Sequence, residues 1–321
     1  MAVVLVTGGA GYVGSHACKA LAAAGYRPVV YDNLGTGHRD LVRWGPLEEG
    51  DLLDADRLDA VLAAYKPQAV LHFAALSVVG DSVREPERYQ RNNVEGSLAL
   101  IAAMERHGVG RIIFSSTAAV YGVPANLPIT EDTPKAPINP YGQTKLAIEQ
   151  ALAASNLAWT ALRYFNAAGA DPEGEVGEHH APESHLIPIV LHVALGLRPS
   201  ISIFGNDYDT PDGTCVRDYI HVSDLADAHV RALRRLEGGG GSRAFNLGTG
   251  QGTSVQQIVD LVRATTGHAI PVERAPRRAG DPPLLVCSNA AAQEALGWRP
   301  LRDAATQVAD AWRWHRTRFG A

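Results

Sequence analysis

The stretch Val3-Val4-Leu5-Val6-Thr7-Gly8-Gly9-Ala10-Gly11-Tyr12-Val13-Gly14 begins as an apolar run and passes directly into a glycine-rich loop. The run predicts a buried β-strand, and residues 13–24 predict the helix that follows. Gly8, Gly11 and Gly14 therefore lie between a strand and a helix, spaced G-x-x-G-x-x-G. Only glycine lets backbone N–H groups approach a pyrophosphate closely, and the helix presents its positive N-terminus to the anion. This arrangement predicts a dinucleotide-binding loop.

The first 165 residues alternate β-rich runs with longer helical stretches. The β-rich runs predict strands at 3–6, 28–31, 69–73, 111–115 and 158–163. The stretches between them predict helices near 13–24, 54–65, 92–107 and 141–155. Because the strands are apolar on both faces, the pattern predicts an α/β fold, a Rossmann-type doubly wound parallel sheet with helices on both sides.

After residue 166 the regular alternation of strands and helices is replaced by loops rich in glycine and proline, such as 171–174 and 207–213. Helices are predicted near 185–196, 223–236, 254–266 and 303–316. We therefore expect residues 1–165 to form the dinucleotide-binding domain. We expect residues 166–321 to form mainly a smaller C-terminal substrate-binding lobe, with some segments returning to the sheet.

Composition limits the classes of partner and the compartment. The 321 residues are 46% hydrophobic and carry a net charge of −5 without a long basic run, which argues against nucleic acid and anionic membranes as partners. No apolar stretch reaches membrane-spanning length, and the N-terminus lacks the basic flank of a signal peptide. Cys18, Cys215 and Cys287 are unevenly spaced and odd in number, as expected for free thiols in a reducing compartment. We expect a soluble cytoplasmic protein.

Acidic residues after the second strand indicate which dinucleotide binds. Asp32 follows Gly14 by 18 residues, where a carboxylate accepts hydrogen bonds from the adenosine ribose and repels a 2′-phosphate. NAD is therefore favoured over NADP, although Arg39 nearby weakens this preference slightly. Asp51 could reach the adenine amino group, with a solvated turn acid as the alternative. Residues 73–75, Phe-Ala-Ala, offer small side chains for close approach to the cofactor.

Tyr141 and Lys145 are the residues that indicate chemistry. On a helix, a spacing of four places the two side chains on one face, with the ammonium beside the phenol. A free tyrosine titrates near ~10, so lowering its pKa to about 7 requires ~4 kcal/mol of preference for phenolate. A fixed cation in a poorly hydrated cleft, helped by a positively charged nicotinamide, perturbs the pKa in that direction. Together with residues 115–117, Ser-Ser-Thr, this predicts redox acid/base chemistry.

Several motifs carry a family resemblance. The motifs are residues 7–14, Tyr31-Asp32-Asn33-Leu34, His72-Phe-Ala-Ala75, Ser115-Ser-Thr117, Tyr141-x-x-x-Lys145, Arg163-Tyr-Phe-Asn-Ala-Ala-Gly169, Phe204-Gly-Asn-Asp-Tyr208 and Asp212-Gly-Thr-Cys-Val-Arg-Asp-Tyr-Ile-His-Val-Ser-Asp-Leu-Ala-Asp-Ala-His229. The earlier motifs resemble the extended short-chain dehydrogenase/reductases. The last two, which are long, resemble the UDP-glucose 4-epimerases among them. The resemblance covers essentially the whole chain.

The resemblance implies reversible conversion of UDP-glucose and UDP-galactose through a transient 4-keto sugar, with NAD retained. It implies that Tyr141 takes the proton of the sugar 4-hydroxyl and that Thr117 hydrogen-bonds the same oxygen. Lys145 would lower the tyrosine pKa and bind the nicotinamide ribose. Related dehydratases and decarboxylases carry acidic groups next to this hydroxyl, where the present chain has Ala118 and Ala119. The reaction is therefore expected to stop at oxidation and return.

The resemblance also implies two sets of binding residues. The cofactor set is Gly8, Gly11, Tyr12, Val13, Gly14, Asp32, Asn33, Leu34, Asp51, Leu52, Phe73, Ala74, Ala75, Ser77, Asn92, Ser115, Tyr141, Lys145 and Phe165. The UDP-sugar set is Thr117, Tyr141, Asn166, His185, Leu186, Ser202, Ile203, Phe204, Arg217, Tyr219, Arg278, Asp281 and Leu285. Ser77 stands where some relatives have lysine. Leu285 corresponds to a position near the sugar 2-substituent, and we expect this small residue to tolerate UDP-N-acetylglucosamine.

An acidic loop and two histidines are interpreted here without a metal-binding or catalytic role. The acidic loop with Glu173, Glu175, Glu178, His179 and His180 suggests a solvated loop and no metal, because adjacent histidines point in different directions and no second ligand cluster is apparent. His72 and His221 are interpreted as packed, hydrogen-bonded histidines rather than catalytic bases.

Alternatives remain. The chain could epimerise another UDP-sugar, such as UDP-xylose, UDP-arabinose or UDP-glucuronate, or be a non-catalytic NAD-sensing protein of the same fold. The resemblance also implies a homodimer formed through residues 92–107 and 141–155. The sequence by itself leaves open the preferred sugar and the pathway served.

Overall fold

Seven strands form one central sheet in the computed structural model, which describes residues 1–278 and 281–320. The strands of the described chain are β1 (Val3–Thr7), β2 (Arg27–Asp32), β3 (Leu47–Glu49), β4 (Ala69–His72), β5 (Arg111–Thr117), β6 (Ala158–Tyr164), β7 (Asn166–Ala168), β8 (Ile201–Phe204), β9 (Val216–His221), β10 (Arg243–Leu247), β11 (Gly252–Ser254), β12 (Val272–Ala275) and β13 (Leu284–Leu285). The α-helices are α1 (Tyr12–Ala23), α2 (Ala55–Tyr65), α3 (Val79–Arg84), α4 (Pro86–Tyr89), α5 (Gly96–Arg106), α6 (Pro140–Ala154), α7 (Leu186–Ala194), α8 (Val222–Glu237), α9 (Val255–Thr266), α10 (Ala290–Leu296) and α11 (Ala304–Phe319).

The central sheet has the order β10-β6-β5-β4-β1-β2-β3, and every neighbouring pair is parallel. The chain runs outward from β1 to β3, then returns to the other side of β1 with β4. This reversal opens a crevice at the carboxyl ends of β1 and β4, where open α/β sheets bind ligands.

Both faces of the sheet are covered by helices. Val4 and Val6 of β1 belong to one apolar cluster with residues of α1 and α8, whereas Leu5 belongs to another with residues of α2, α5 and α6. All three side chains are fully buried. A strand buried on both faces in this way is typical of a doubly wound sheet, and the predicted fold class is confirmed.

The second half of the chain builds a separate core and also contributes to the sheet. A third apolar cluster joins α7, α9 and α11 to β8. Strands β11, β9 and β13 form a sheet in that order, with β7 also paired to β9, and β8 pairs with β12. However, β10 joins the central sheet beside β6, and α8 packs against α1. The second half is therefore continuous in packing with the first.

The predicted strands of the first half end within two residues of those observed. The helix predicted at 92–107 is shorter, because a π-helix occupies Gln90–Glu95 and α5 begins only at Gly96. Several short elements, including β3, α3 and α10, were not predicted, since three to seven residues give little periodicity. Within the described residues, no helix has both the length and the apolar character needed to cross a membrane.

Candidate active site

The carboxyl edge of the central sheet brings the predicted nucleotide-binding and catalytic residues together. Gly8 follows β1, Asp32 ends β2, Ala74 follows β4 by two residues, and Thr117 ends β5. Parallel strands end at the same edge, so residues far apart in sequence meet there. Gly8 has a φ of +75°, and a Cβ atom added to it would lie 2.5 Å from the Ala74 nitrogen.

The glycine-rich loop has the shape of an anion cradle. A Cβ atom on Gly14 would lie 2.2 Å from the Gly8 carbonyl oxygen, so only glycine fits where α1 crosses the loop. Gly11 is the N-cap of α1, and in the described structure no side chain caps this helix and no acidic residue lies in its first turn. The free N–H groups of that turn suit a pyrophosphate. Residues of the loop therefore fit a dinucleotide.

Carboxylates behind the loop suit the adenosine part of NAD. Asp32 is buried and accepts hydrogen bonds from the N–H groups of Ala10 (3.0 Å) and Leu34 (2.8 Å). Burial raises the pKa of Asp32, and these two bonds oppose the increase. Asn33 Nδ2 donates to Asp51 Oδ2 at 2.8 Å, which places two predicted cofactor residues side by side. Arg39, which had weakened the preference for NAD, forms an ion pair with Glu49.

The catalytic candidates meet where α6 begins. The Asn139 side chain caps α6 by accepting from Gly142 N–H at 2.8 Å. A Cβ atom on Gly142 would lie 2.6 Å from the Ala119 carbonyl oxygen, so the first turn of α6 packs directly on the segment after Thr117. Lys145 Nζ donates to the Ser115 carbonyl at 2.9 Å and lies 5.9 Å from the centre of the Tyr141 ring.

In the protein without cofactor, burial controls the ionisation of Tyr141 and Lys145. Burial raises the pKa of Tyr141 to about 12, outweighing a hydrogen bond with Thr117 that lowers it. Burial also lowers the pKa of Lys145 to about 7, against the opposing charge of Glu149. The expected lowering of the tyrosine pKa by Lys145 is therefore not produced by the chain alone. A desolvated site disfavours both charges, so a further positive charge is required to favour the phenolate.

A buried polar network beneath Lys145 was missed by the sequence analysis. Arg163 donates to Glu149 through Nε (2.9 Å) and Nη2 (2.5 Å), and to the Tyr121 hydroxyl at 2.8 Å. Ser116 also donates to Glu149, at 2.6 Å. Glu149 follows Lys145 by four residues, and this spacing on one helix face was the available signal. The network fixes α6 against β5 and β6.

The remaining predicted cofactor residues differ in exposure and in hydrogen bonding. Tyr12 is buried and donates to the Gly169 carbonyl at 2.6 Å, and Asn92 donates to the neighbouring Asn93 side chain at 2.9 Å. Ser77 is exposed. The other predicted cofactor residues are half-buried or buried, namely Val13, Leu52, Phe73, Ala75, Ser115 and Phe165.

Several predicted UDP-sugar residues are paired with one another. The Arg278 guanidinium lies 3.9 Å from the centre of the Phe204 ring, and Arg217 forms an ion pair with Asp281. The guanidinium groups of both arginines are of the type that pairs with diphosphate oxygens. Leu285 is paired in register with Arg217.

Other members of that set face the core or neighbouring loops. The side chains of Ile203 and Tyr219 are buried in the apolar cluster around α7. Asn166 donates from Nδ2 to the Asp218 carbonyl at 3.0 Å, and Ser202 is half-buried in β8. His185 is the N-cap of α7 and precedes Leu186.

The histidines assigned to packing behave as predicted. His72 Nδ1 lies 2.7 Å from the Thr7 hydroxyl, and its Nε2 lies 2.8 Å from the Ser97 hydroxyl. His221 accepts from Ser223 N–H at 3.0 Å and lies 3.2 Å from Asp310. Both rings are buried, and burial lowers the pKa of each to about 3. Their interpretation as packed, hydrogen-bonded histidines is confirmed.

The loop before α7 differs from the expected solvated loop, because the Glu178 side chain is only 3% exposed. Glu178 and Glu183 lie against His180 and His185. Burial opposes protonation of the two rings, but the carboxylates raise the pKa of His180 to about 9 and that of His185 to about 10. The expectation is wrong for Glu178, because the turn after His180 folds back and brings Glu183 and His185 to Glu178 and His180, whereas Glu173 is exposed.

Comparisons of sequence and of structure both match this chain to epimerases. A family model described as "NAD dependent epimerase/dehydratase family" matches residues 4–248. A UDP-glucose 4-epimerase of Rhizobium leguminosarum bv. trifolii is 54% identical over 316 residues, which are 97% of each chain. The crystal structure of the Brucella ovis UDP-glucose 4-epimerase with NAD is 51% identical and superposes with a TM-score of 0.95, covering 97% of this chain and 98% of that one. The UDP-Glc/GlcNAc 4-epimerase of Campylobacter jejuni is 37% identical with a TM-score of 0.87, covering 99% and 100%.

The side-chain amine of Lys145 is expected to titrate near neutral pH in the nucleotide-free protein. The chain has four lysines, so ¹³C NMR of labelled lysine is simple, and a Lys145→Met variant assigns the signal. Because the pKa of about 7 lies below the ordinary 10.5, the unfolded chain binds more protons between these values. The free-energy cost of burying Lys145 therefore falls as pH rises through this window. A Lys145 signal that titrates only above pH ~9.5 would contradict the role of burial.

Proposed function

The chain belongs to the NAD-dependent epimerase/dehydratase family, and from this premise we propose that it interconverts UDP-glucose and UDP-galactose by reversible epimerisation at C4. It is an isomerase that uses NAD. Relatives at about half identity over nearly the full length carry this activity in their names, and one was crystallised with NAD.

One observation carries the proposal: Thr117, Tyr141 and Lys145 meet at the carboxyl edge, beside the glycine-rich loop. The turn that follows Thr117 begins with Ala118 and Ala119 and carries no acidic residue. Elimination or decarboxylation needs additional proton transfers, and this turn supplies no group for them. The side chains therefore suit a reaction that removes and returns one proton and one hydride.

NAD, when bound, accepts the hydride of sugar C4 and returns it. Tyr141 accepts the proton of the 4-hydroxyl, and Thr117 hydrogen-bonds the same oxygen. The protein alone keeps the phenol neutral, so the positive nicotinamide together with Lys145 must favour the phenolate. This places proton transfer under the control of the oxidised cofactor, since only its ring is positive.

We propose that the two halves of the chain bind different ligands. Residues 1–165 hold NAD, and residues 166–321 hold mainly the UDP group. Arg217 and Arg278 bind the diphosphate, and Phe204 packs near the uridine. The keto sugar must turn over between two hydride transfers, which is possible because the UDP group is anchored apart from the reacting ring.

Two other functions are compatible with this fold, namely epimerisation of another UDP-sugar and non-catalytic sensing of NAD. A 4-epimerase of UDP-xylose, UDP-arabinose or UDP-glucuronate would use the same catalytic residues, and assays with each purified sugar nucleotide would separate these substrates. A non-catalytic NAD sensor needs none of Thr117, Tyr141 and Lys145, so their assembly in one crevice favours an enzyme.

We also propose cytoplasmic galactose metabolism as the setting. Cys18, Cys215 and Cys287 are free and buried, as suits a reducing compartment.

A homodimer through α5 and α6 is proposed from the apolar surface around these helices. Leu98 of α5 is 45% exposed, and Val83 of the adjacent α3 is 62% exposed. We expect the protein to have twice the mass of the chain in solution and Leu98→Glu to convert it to monomer. Leu301→Glu, at an equally apolar residue that is 80% exposed elsewhere, should leave the dimer intact. Light scattering that shows a monomer for the unmodified protein would refute this interface.

Tyr141→Phe is expected to lower turnover of UDP-galactose by about 10²–10⁴-fold, because the proton acceptor is lost. Incubation without added NAD, followed by product analysis, measures epimerisation and shows at the same time whether cofactor stays bound. Tyr26→Phe is the matched control, since its hydroxyl contacts Glu237 away from the crevice. Full activity of Tyr141→Phe would show that another group accepts the proton.

Leu285→Tyr tests tolerance of the acetylated sugar. Leu285 packs beside Phe165 and Tyr121, and a larger ring there should lower kcat/KM for UDP-N-acetylglucosamine by at least about tenfold while UDP-glucose is little affected. Leu284 borders a cavity of about 630 Å³, so Leu284→Tyr is a control of equal size. A preference of the unmodified enzyme for plain sugar above about ten-thousandfold would refute tolerance.

A further inference from the structure

Four potential metal ligands converge in the loop before α7. His180 Nδ1 lies 3.3 Å from Glu178 Oε1 and 3.6 Å from Glu183 Oε2. His185 Nδ1 lies 2.6 Å from Glu178 Oε1 and 3.6 Å from Glu183 Oε1. One atom from each of the four residues lies within 4.8 Å of all the others. A tetrahedral zinc ion with bonds of about 2.0–2.1 Å holds its ligand atoms ~3.3 Å apart, close to most of these distances.

Two polar atoms of this cluster are not satisfied by hydrogen bonds, whereas Glu183 Oε1 accepts from the N–H groups of Ser184 (2.8 Å) and His185 (2.9 Å). Glu178 Oε1 and His180 Nδ1 are buried and have no hydrogen-bond partner among the described residues. The 2.6 Å contact from His185 therefore lacks the alignment of a hydrogen bond, although the two atoms are close. A buried carboxylate oxygen without a partner is costly, whereas a cation between the four groups would satisfy all of them.

A neighbouring acidic cluster differs because a lysine already pairs with its carboxylates. Lys19 Nζ lies 2.5–2.8 Å from carboxylate oxygens of Asp171, Glu173 and Glu175, so its ammonium already supplies the cation. Within the described part of the chain, no lysine or arginine pairs with Glu178 or Glu183, whose side chains are only 3% and 5% exposed. Among the described residues, the two imidazoles are the only side chains in ion-pair contact with these carboxylates.

From this geometry we propose that Glu178, His180, Glu183 and His185 bind one zinc ion. Two imidazole nitrogens and two carboxylate oxygens match the ligand types of zinc, whereas magnesium and calcium prefer oxygen alone. This proposal replaces the sequence expectation of no metal. The sequence analysis grouped Glu178 and His180 with Glu173, Glu175 and His179, whereas the fold brings Glu183 and His185 to them instead.

The site would be structural and would connect the two halves of the molecule. The His180 ring lies 6.4 Å, edge to face, from that of Tyr12 at the start of α1, while His185 caps α7. All four ligands are protein groups, as in closed structural zinc sites. Zinc would therefore hold the loop between the cofactor-binding helix and the helix that begins with Leu186.

The metal content of the purified holoenzyme tests the proposal. After exposure to zinc and passage through metal-free buffer, mass spectrometry of the metals should give about one zinc per chain. Competition with a chromogenic chelator should show zinc affinity reduced at least about tenfold in Glu183→Gln and in His180→Ala. Glu173→Gln is the matched control, because this residue lies in the same loop but pairs with Lys19. Its zinc content should equal that of the unmodified protein.

Three outcomes decide the matter. Zinc below about one tenth of an equivalent in the unmodified protein would show that protons alone neutralise the cluster, and would overturn the proposal. Equal zinc in all variants would place the metal elsewhere on the surface, and would also overturn it. An anomalous diffraction peak at the zinc edge within about 2.3 Å of the four ligand atoms would support it without relying on any variant. These readouts are independent of epimerase activity.

Discussion

The approach of Gly8 to the backbone of Ala74 is the constraint on which the rest of the site depends. Strands β1 and β4 lie side by side, and the chain leaves them in opposite directions. An added Cβ atom on Gly8 would lie within 2.8 Å of three backbone atoms of Phe73 and Ala74, so any other residue would separate the two exits. The crevice, the cradle before α1 and the position of Thr117 one strand further along all follow from this contact.

The same enclosure creates the chemical problem that the catalytic residues solve. A desolvated crevice excludes water from the reacting carbon but raises the pKa of Tyr141 and lowers that of Lys145. The chain offsets this only in part, through Thr117 and through Glu149, which is itself paired with Arg163. In the proposed reaction the positive charge of bound NAD would complete this balance, which would link readiness for proton transfer to the presence of a hydride acceptor.

The second half of the molecule serves two purposes. It returns β10 and α8 to the central sheet, which makes the two halves one packed unit. It also carries Arg217, Arg278 and Phe204, which we propose to bind the UDP group, and the His/Glu cluster before α7. Phe204 lies at the end of β8, Arg217 lies in β9 and His185 caps α7, so these groups are held by elements of the second half.

The sequence by itself determined the fold class, the positions of the first five long strands along the chain and the glycine-rich loop after the first of them, and it predicted the three residues that we propose as catalytic. Those features depend on local patterns such as apolar runs, glycine spacing and a four-residue step on a helix. Tertiary structure alone decided that Arg163 lies beneath Lys145, that Ile203 faces the core, and that Glu183 and His185 fold back onto Glu178. Each of these depends on chain segments that meet only after folding, because local spacing does not determine which side chains burial brings into contact.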